Sequence, residues 1–116
     1  MTRDFLEYGG PAVEGTLFVD YFDWNSTRPS YLHFQKAYRE RFAMGPSFSA
    51  ADAYDAAQVL FQALSRNTDP KALRKTIIDI GHFSGVVQDF DIDAFGDAHR
   101  RPFIITASNG RFVTLE

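Results

Sequence analysis

The sequence has no cysteine, which removes a disulfide framework, a thiolate nucleophile and a thiolate metal site together. Long apolar runs are also missing, and no stretch approaches the ~20 residues needed to span a bilayer. The first ten residues, MTRDFLEYGG, lack the basic start and apolar run of a secretory leader, so no signal peptide is expected in this chain. Basic runs are absent, and the net charge is −3 over 116 residues, which gives no basis for nucleic-acid or anionic-membrane binding. No glycine-rich phosphate loop follows a strand, and no serine sits in a GxSxG context. His33, His82 and His99 are far apart in sequence and share no helical face, so no histidine pair has metal-ligand spacing. An enzyme therefore has no positive support, and neither a metal nor a cofactor is expected.

Aromatic side chains, by contrast, are plentiful. Hydrophobic residues make up 45% and charged residues 23% of a chain that includes twelve phenylalanines. This is the composition of one folded domain, residues 1–116, with a core of its own. So many rings imply an aromatic core, or rings that pack against a surface outside the chain.

The chain is organised around Gly45 to Leu64. A Ser-Phe-Ser segment can cap a helix there, and Ala50, Ala53, Tyr54, Ala57, Leu60, Phe61 and Leu64 recur at spacings of three and four. That pattern predicts a buried face with small residues first and large ones last. The start of this helix is the best candidate for a polar site, because its free N–H groups and positive dipole end favour an anion.

Around it, Thr2 to Tyr8 suits a short helix ended by Gly9-Gly10. Gly15 to Phe22, GTLFVDYF, reads as a strand apolar enough for burial on both faces and in want of parallel neighbours. Asn25-Ser26-Thr27 matches the glycosylation pattern, which is too short to carry weight. Pro29 is placed to open a helix to about Phe42, with Tyr31, Phe34, Tyr38 and Phe42 as its stripe. Asp69 and Pro70 start a third helix with Leu73, Ile77 and Ile80 inward and Gly81 as its stop. SGVVQDFDI then reads as a strand, and RPFIITAS and RFVTLE flank Asn109-Gly110, a strong hairpin signal. The result is an α/β chain: strand, three helices, then three short strands.

The acidic stretch with Asp89, Asp91, Asp93 and Asp97 invites a calcium reading. Counted from Asp91, Gly96 falls at the sixth position, but Phe95 stands at the fifth and Pro102 at the twelfth. Counted from Asp89, the sixth is Ala94 and the twelfth Arg100. Neither register supplies the bidentate glutamate, which favours a polar turn between strands.

Five pieces, in order, carry a resemblance. GPAVEGTLFVDYFD, FQKAYRERF, PSFSAADAYDAAQVL, FSGVVQDFDIDAFGDAHRRPFII and NGRFV together resemble the C-terminal portion of the type 1 periplasmic solute-binding proteins. These are the leucine/isoleucine/valine-binding receptors of ABC transporters and their relatives. The resemblance implies part of a bilobed fold with flavodoxin-like or Rossmann-like lobes, and ligand capture without catalysis. It implies a branched-chain amino acid or similar small polar metabolite, a transporter permease as partner of the full-length receptor, and a periplasmic or extracytoplasmic setting for that receptor. It places ligand contacts at Ser49, which departs from the aromatic that the family often has there, with Phe48 next to it, and near the hinge at Tyr21 and Phe22. The chain departs from the family's second turn glycine, having Gln88 there. A self-associating module of the same fold, without ligand, is the alternative. Because the early strand lacks neighbours, a homo-oligomer, at least a dimer, is expected.

Overall fold

The N-terminal and C-terminal segments together form a sheet covered on one face. In the computed structural model, which describes residues 3–115, strand β1 (Leu17–Asp20) pairs antiparallel with β5 (Phe103–Ser108), and β5 pairs with β6 (Arg111–Thr114). The predicted hairpin is present: Asn109 and Gly110 both have positive φ, 51° and 68°, as the tight two-residue turn requires. Glu14 closes that turn from a distance, its carboxylate accepting from the N–H groups of Asn109 and Gly110, both at 2.9 Å.

Register places Phe18, Ile105, Ala107 and Phe112 on one face, and Ile105, Ala107 and Phe112 are buried there. Part of the aromatic surplus is used at this face. Phe5, Phe18, Phe112, Trp24 and Phe22 form a continuous run of rings with centroids 4.9–6.1 Å apart. Helix α1 (Arg3–Gly9) contributes the first ring and so follows the expected short helix.

The opposite face corrects the reading of β1. Leu17 and Val19 are 65% and 69% exposed, and β1 is an antiparallel edge strand, not a doubly buried one with parallel neighbours. An apolar run states that both faces suit burial; it does not supply the second layer.

The remaining elements form a second compact unit, Arg28–Arg101, distinct from Met1–Thr27 with Pro102–Glu116. Helix α2 (Pro29–Phe42) has proline at its start and an aromatic stripe in which Phe34, Tyr38 and Phe42 stack in sequence. Helix α3 (Phe48–Arg66) is capped by Ser47, whose hydroxyl accepts from the Ala50 N–H. A single 3₁₀ turn at Pro70–Ala72, with Asp69 accepting from the Lys71 N–H, leads into α4 (Leu73–Ile80), which stops at Gly81.

What reads as a single strand from residue 84 is a hairpin. β2 (His82–Ser84) and β3 (Asp89–Ile92) pair with Phe83 opposite Phe90, and β4 (Ala98–His99) follows, so five strands follow the helices where three were expected. Phe83, Phe90 and Val59 form the buried cluster, with Ile77, Ile80 and Ile92 against it.

The face of α3 is also corrected. Ala51, Asp55, Val59 and Ala63 are the buried positions, whereas Tyr54, Leu60, Phe61 and Leu64 are exposed. The periodicity was genuine but marked the outward side.

Replacing Glu14 with alanine removes both acceptors from the exposed turn. A loss of about 1 kcal/mol is expected, seen in urea denaturation as a lower midpoint with an unchanged slope.

Candidate functional site

The first turns of α3 are held by a charged arrangement that the helical spacing did not reveal. Asp55 sits on the buried stripe, only 3% exposed. One of its oxygens accepts from the Val86 N–H at 2.8 Å, and the other accepts from Arg100 at 3.2 Å. Arg100 also donates to Asp52 at 2.8 Å and lies over the Phe90 ring, 4.4 Å from its centroid. Burial pushes the Asp55 carboxyl above its ordinary value, opposed by the Val86 N–H and Arg100. An unpaired carboxylate in this position would be costly.

The turn between β2 and β3 is gripped from two helices. Asp55 of α3 binds the Val86 N–H, and the Ser30 hydroxyl of α2 donates to the Val86 carbonyl at 2.8 Å. Arg28, one residue before α2, pairs with Asp89 and draws that carboxyl down. Gly85 is required here for space. A Cβ there would lie 2.3 Å from the Gln88 carbonyl oxygen and 2.7 Å from an Asp55 oxygen.

Of the ligand contacts that the resemblance implies, Phe48 and Ser49 stand together in the first turn of α3. Phe48 is half-buried and Ser49 exposed. A first-turn N–H has no partner within its own helix, so the chemistry available beside the Ser49 hydroxyl suits a carboxylate or carbonyl oxygen. Tyr21 and Phe22 belong to the other unit. Tyr21 is exposed, whereas Phe22 is buried edge-on against Trp24, which makes it a packing ring. Two concavities occur elsewhere in the helical unit. One, of about 340 Å³, is bordered by Arg28, Ser30, His33, Phe34 and Tyr54. The other, of about 500 Å³ and mostly apolar, is bordered by Leu73, Ile77, Ile92 and Phe95. Neither includes Phe48 or Ser49.

The acidic stretch is a polar turn. One Asp93 oxygen accepts from the N–H groups of Phe95, Gly96 and Asp97, and the other meets His99 Nε2 at 2.8 Å. The His99 bond and these N–H groups hold the Asp93 carboxyl at about 2, and Asp93 in turn raises His99. His82 pairs with Asp91, 2.7 Å apart. Among the described residues, no group of three His, Cys, Asp or Glu is placed to hold a metal ion.

A sequence model described as periplasmic binding protein matches residues 1–111. The chain belongs to the periplasmic binding protein family. Comparison with curated proteins finds no match. Among solved structures, this periplasmic binding protein chain is similar to a leucine-binding protein, LivK, from Thermotoga maritima. They share 28% identity over 99% of this chain and 34% of the other, with a TM-score of 0.86. An ABC transporter substrate-binding protein from Desulfitobacterium hafniense, in complex with Leu, is also 28% identical. It is matched over 89% of this chain and 32% of its own length, at a TM-score of 0.82. The isoleucine complex of LivJ from Streptococcus pneumoniae, 20% identical over 98% of this chain and 34% of that one, shares the fold at a TM-score of 0.79. The chain thus spans about a third of the length of these relatives. They are binding proteins, not enzymes.

Asp55, Arg100 and Ser30 were not singled out by sequence reasoning, and Gly85 was read only as the first glycine of the family's turn. The available signal was Asp55 itself, a carboxylate at four-residue spacing between Ala51 and Val59.

Gly85→Ala is expected to destabilise the protein by about 3 kcal/mol, because one close contact is backbone and the other a carboxylate held in place by the Val86 N–H and Arg100; chemical denaturation reads the loss. The Asp93–His99 pair sets a pH window. Asp93 is lowered on folding, so its contribution is present above about pH 4 and fades as pH falls towards about 2. His99 is raised, so its contribution is complete below about pH 6.5 and is lost as pH rises through its folded value. His99→Gln should therefore lower the melting temperature at pH 5 and leave it nearly unchanged at pH 9.

Proposed function

We propose that this chain supplies the C-terminal part of a bilobed extracytoplasmic receptor that captures leucine, another branched-chain amino acid or a similar small polar metabolite. The receptor would deliver its ligand to an ABC transporter permease. The observation that carries this reading is the family match across residues 1–111, together with 28% identity to a substrate-binding protein in complex with Leu. Periplasmic binding proteins work outside the cytoplasm, and no helix among the described residues is long and apolar enough to cross a membrane. In this reading Ser49 and Phe48 meet the ligand at the start of α3, its carboxylate facing the first-turn N–H groups. Tyr21, exposed on the other unit, is the further contact offered in this reading, and Phe22, packed against Trp24, serves the fold of that unit. Closure of two lobes around the ligand, not chemistry, performs the function.

A second reading has one observation in its favour. Leu17 and Val19 on one face of β1, and separately Phe61 on α3 of the other unit, are large apolar residues more than half exposed, and open neighbours such as Leu17 and Val19 are the kind of surface that takes a partner. In a receptor three times as long, the remaining segments cover them. For this chain alone, a second copy does so, giving the homodimer of a self-associating module.

A thermal-shift titration against leucine, isoleucine, short amides and aromatic acids separates the readings. A saturable rise in melting temperature with an amino acid, abolished by Ser49→Trp, is expected if the site is complete in these residues. A flat panel, with a dimer by light scattering at micromolar concentration, would favour the module.

A further inference from the structure

We propose that Arg100 is a positioning residue for the ligand contact at the start of α3, an inference that rests on the receptor reading above. Its guanidinium reaches two successive turns of the helix, meeting Asp52 at 2.8 Å and Asp55 at 3.2 Å. Asp52 lies three residues beyond Ser49 and Asp55 six, so Arg100 grips the helix on the turns that immediately follow the contact residues. The guanidinium is itself confined. Its side chain is 16% exposed, and the Phe90 ring forms its floor.

The backbone that carries Arg100 is pinned on its far side. The Gln88 side chain binds the next residue twice, accepting from the Arg101 N–H at 3.1 Å and donating to the Arg101 carbonyl at 3.0 Å. On the other side, the ring of His99 is held by Asp93. Arg100 therefore projects from a fixed point on the hairpin, and α3 is referred to that point and not to solvent.

The start of α3 needs such a reference. Its cap is one hydrogen bond of 3.3 Å from Ala50 to Ser47, and its buried stripe begins only at Ala51. First turns fray where capping and packing are thin. A frayed turn would offer Phe48 and Ser49 in many arrangements, and ligand binding would have to restore order. A planar guanidinium suits two carboxylates in a way that a point-charge ammonium does not. The departure at Gln88 from the family's glycine also acquires a use, since a glycine has no side chain with which to hold Arg101.

The test uses the 116-residue chain with Arg100→Met, Arg100→Lys and Asp52→Asn, read by amide hydrogen exchange and by leucine titration calorimetry. Arg100→Met should speed exchange at Ala50, Ala51 and Asp52 by roughly tenfold, with Ala63 to Arg66 little changed. Leucine affinity should fall by up to about tenfold, and Arg100→Lys should recover part of both. Asp52→Asn, which leaves the buried Asp55 pair intact, should repeat the effect in smaller measure and serves if Arg100→Met does not fold. Faster exchange along the whole of α3, or none, would overturn the proposal, since Arg100 would then be a general stabiliser or idle. So would unchanged leucine affinity despite local loosening. Should the wild type bind no leucine while its exchange pattern follows the expectation, the leucine reading falls and the positioning of this turn by Arg100 stands.

Discussion

The buried carboxylate of Asp55 joins three pieces of the helical unit at one point: the middle of α3, the turn between β2 and β3, and the end of the hairpin at Arg100. Its cost is desolvation, and the structure offsets that cost with one backbone N–H and one guanidinium. The same constraint explains Gly85, because the carboxylate approaches the turn so closely that a methyl group would collide with it. It also places Val86 where the Ser30 hydroxyl can take its carbonyl, which brings α2 to the same turn. The aromatic cluster of Phe83 and Phe90 adds burial around this polar centre, but dispersion and apolar burial are non-directional. The hydrogen bonds choose the register.

A separate logic governs the sheet of β1, β5 and β6. There the connection is between distant segments of sequence, with Glu14 capping the turn at Asn109 and Gly110. The glutamate of the EG segment and the glycine of the final hairpin, which look like independent motifs along the chain, are two halves of one turn. Five aromatic rings seal the covered face of this sheet, and the other face is left open. The open face and the exposed residues of α3 fit a chain that spans about a third of its relatives. Their composition is that of an interior.

The binding site proposed above would divide labour between contact and support. Ser49 and Phe48 are placed by the beginning of a helix, which aims backbone donors without needing a charged side chain. The support lies one and two turns further along, in Asp52 and Asp55 with their shared arginine. Precision in binding depends on such support, since a contact residue on a loose turn loses affinity to its own disorder. The calcium-like stretch belongs to the same scheme: Asp93 ties its own loop through three backbone N–H groups and His99, and that loop carries Arg100 into place.

Local chemistry determined much of this protein. Ser47, Asp69, Pro29, Gly81 and Asn109-Gly110 each act within a few residues, so the helix starts, the helix stop and the final turn were legible from the chain alone. The resemblance of five ordered segments to solute-binding receptors was legible for the same reason. Which face of α3 is buried was not, because two stripes of that helix are apolar and periodicity does not say which one meets the hairpin. Only the tertiary structure decided that, by bringing Val86 and Arg100 to Asp55. It also decided that the residues from His82 to Ile92 fold into two strands and that β1 is an edge. Those outcomes depend on partners far away in sequence, and hydrophobic pattern carries no address for a partner.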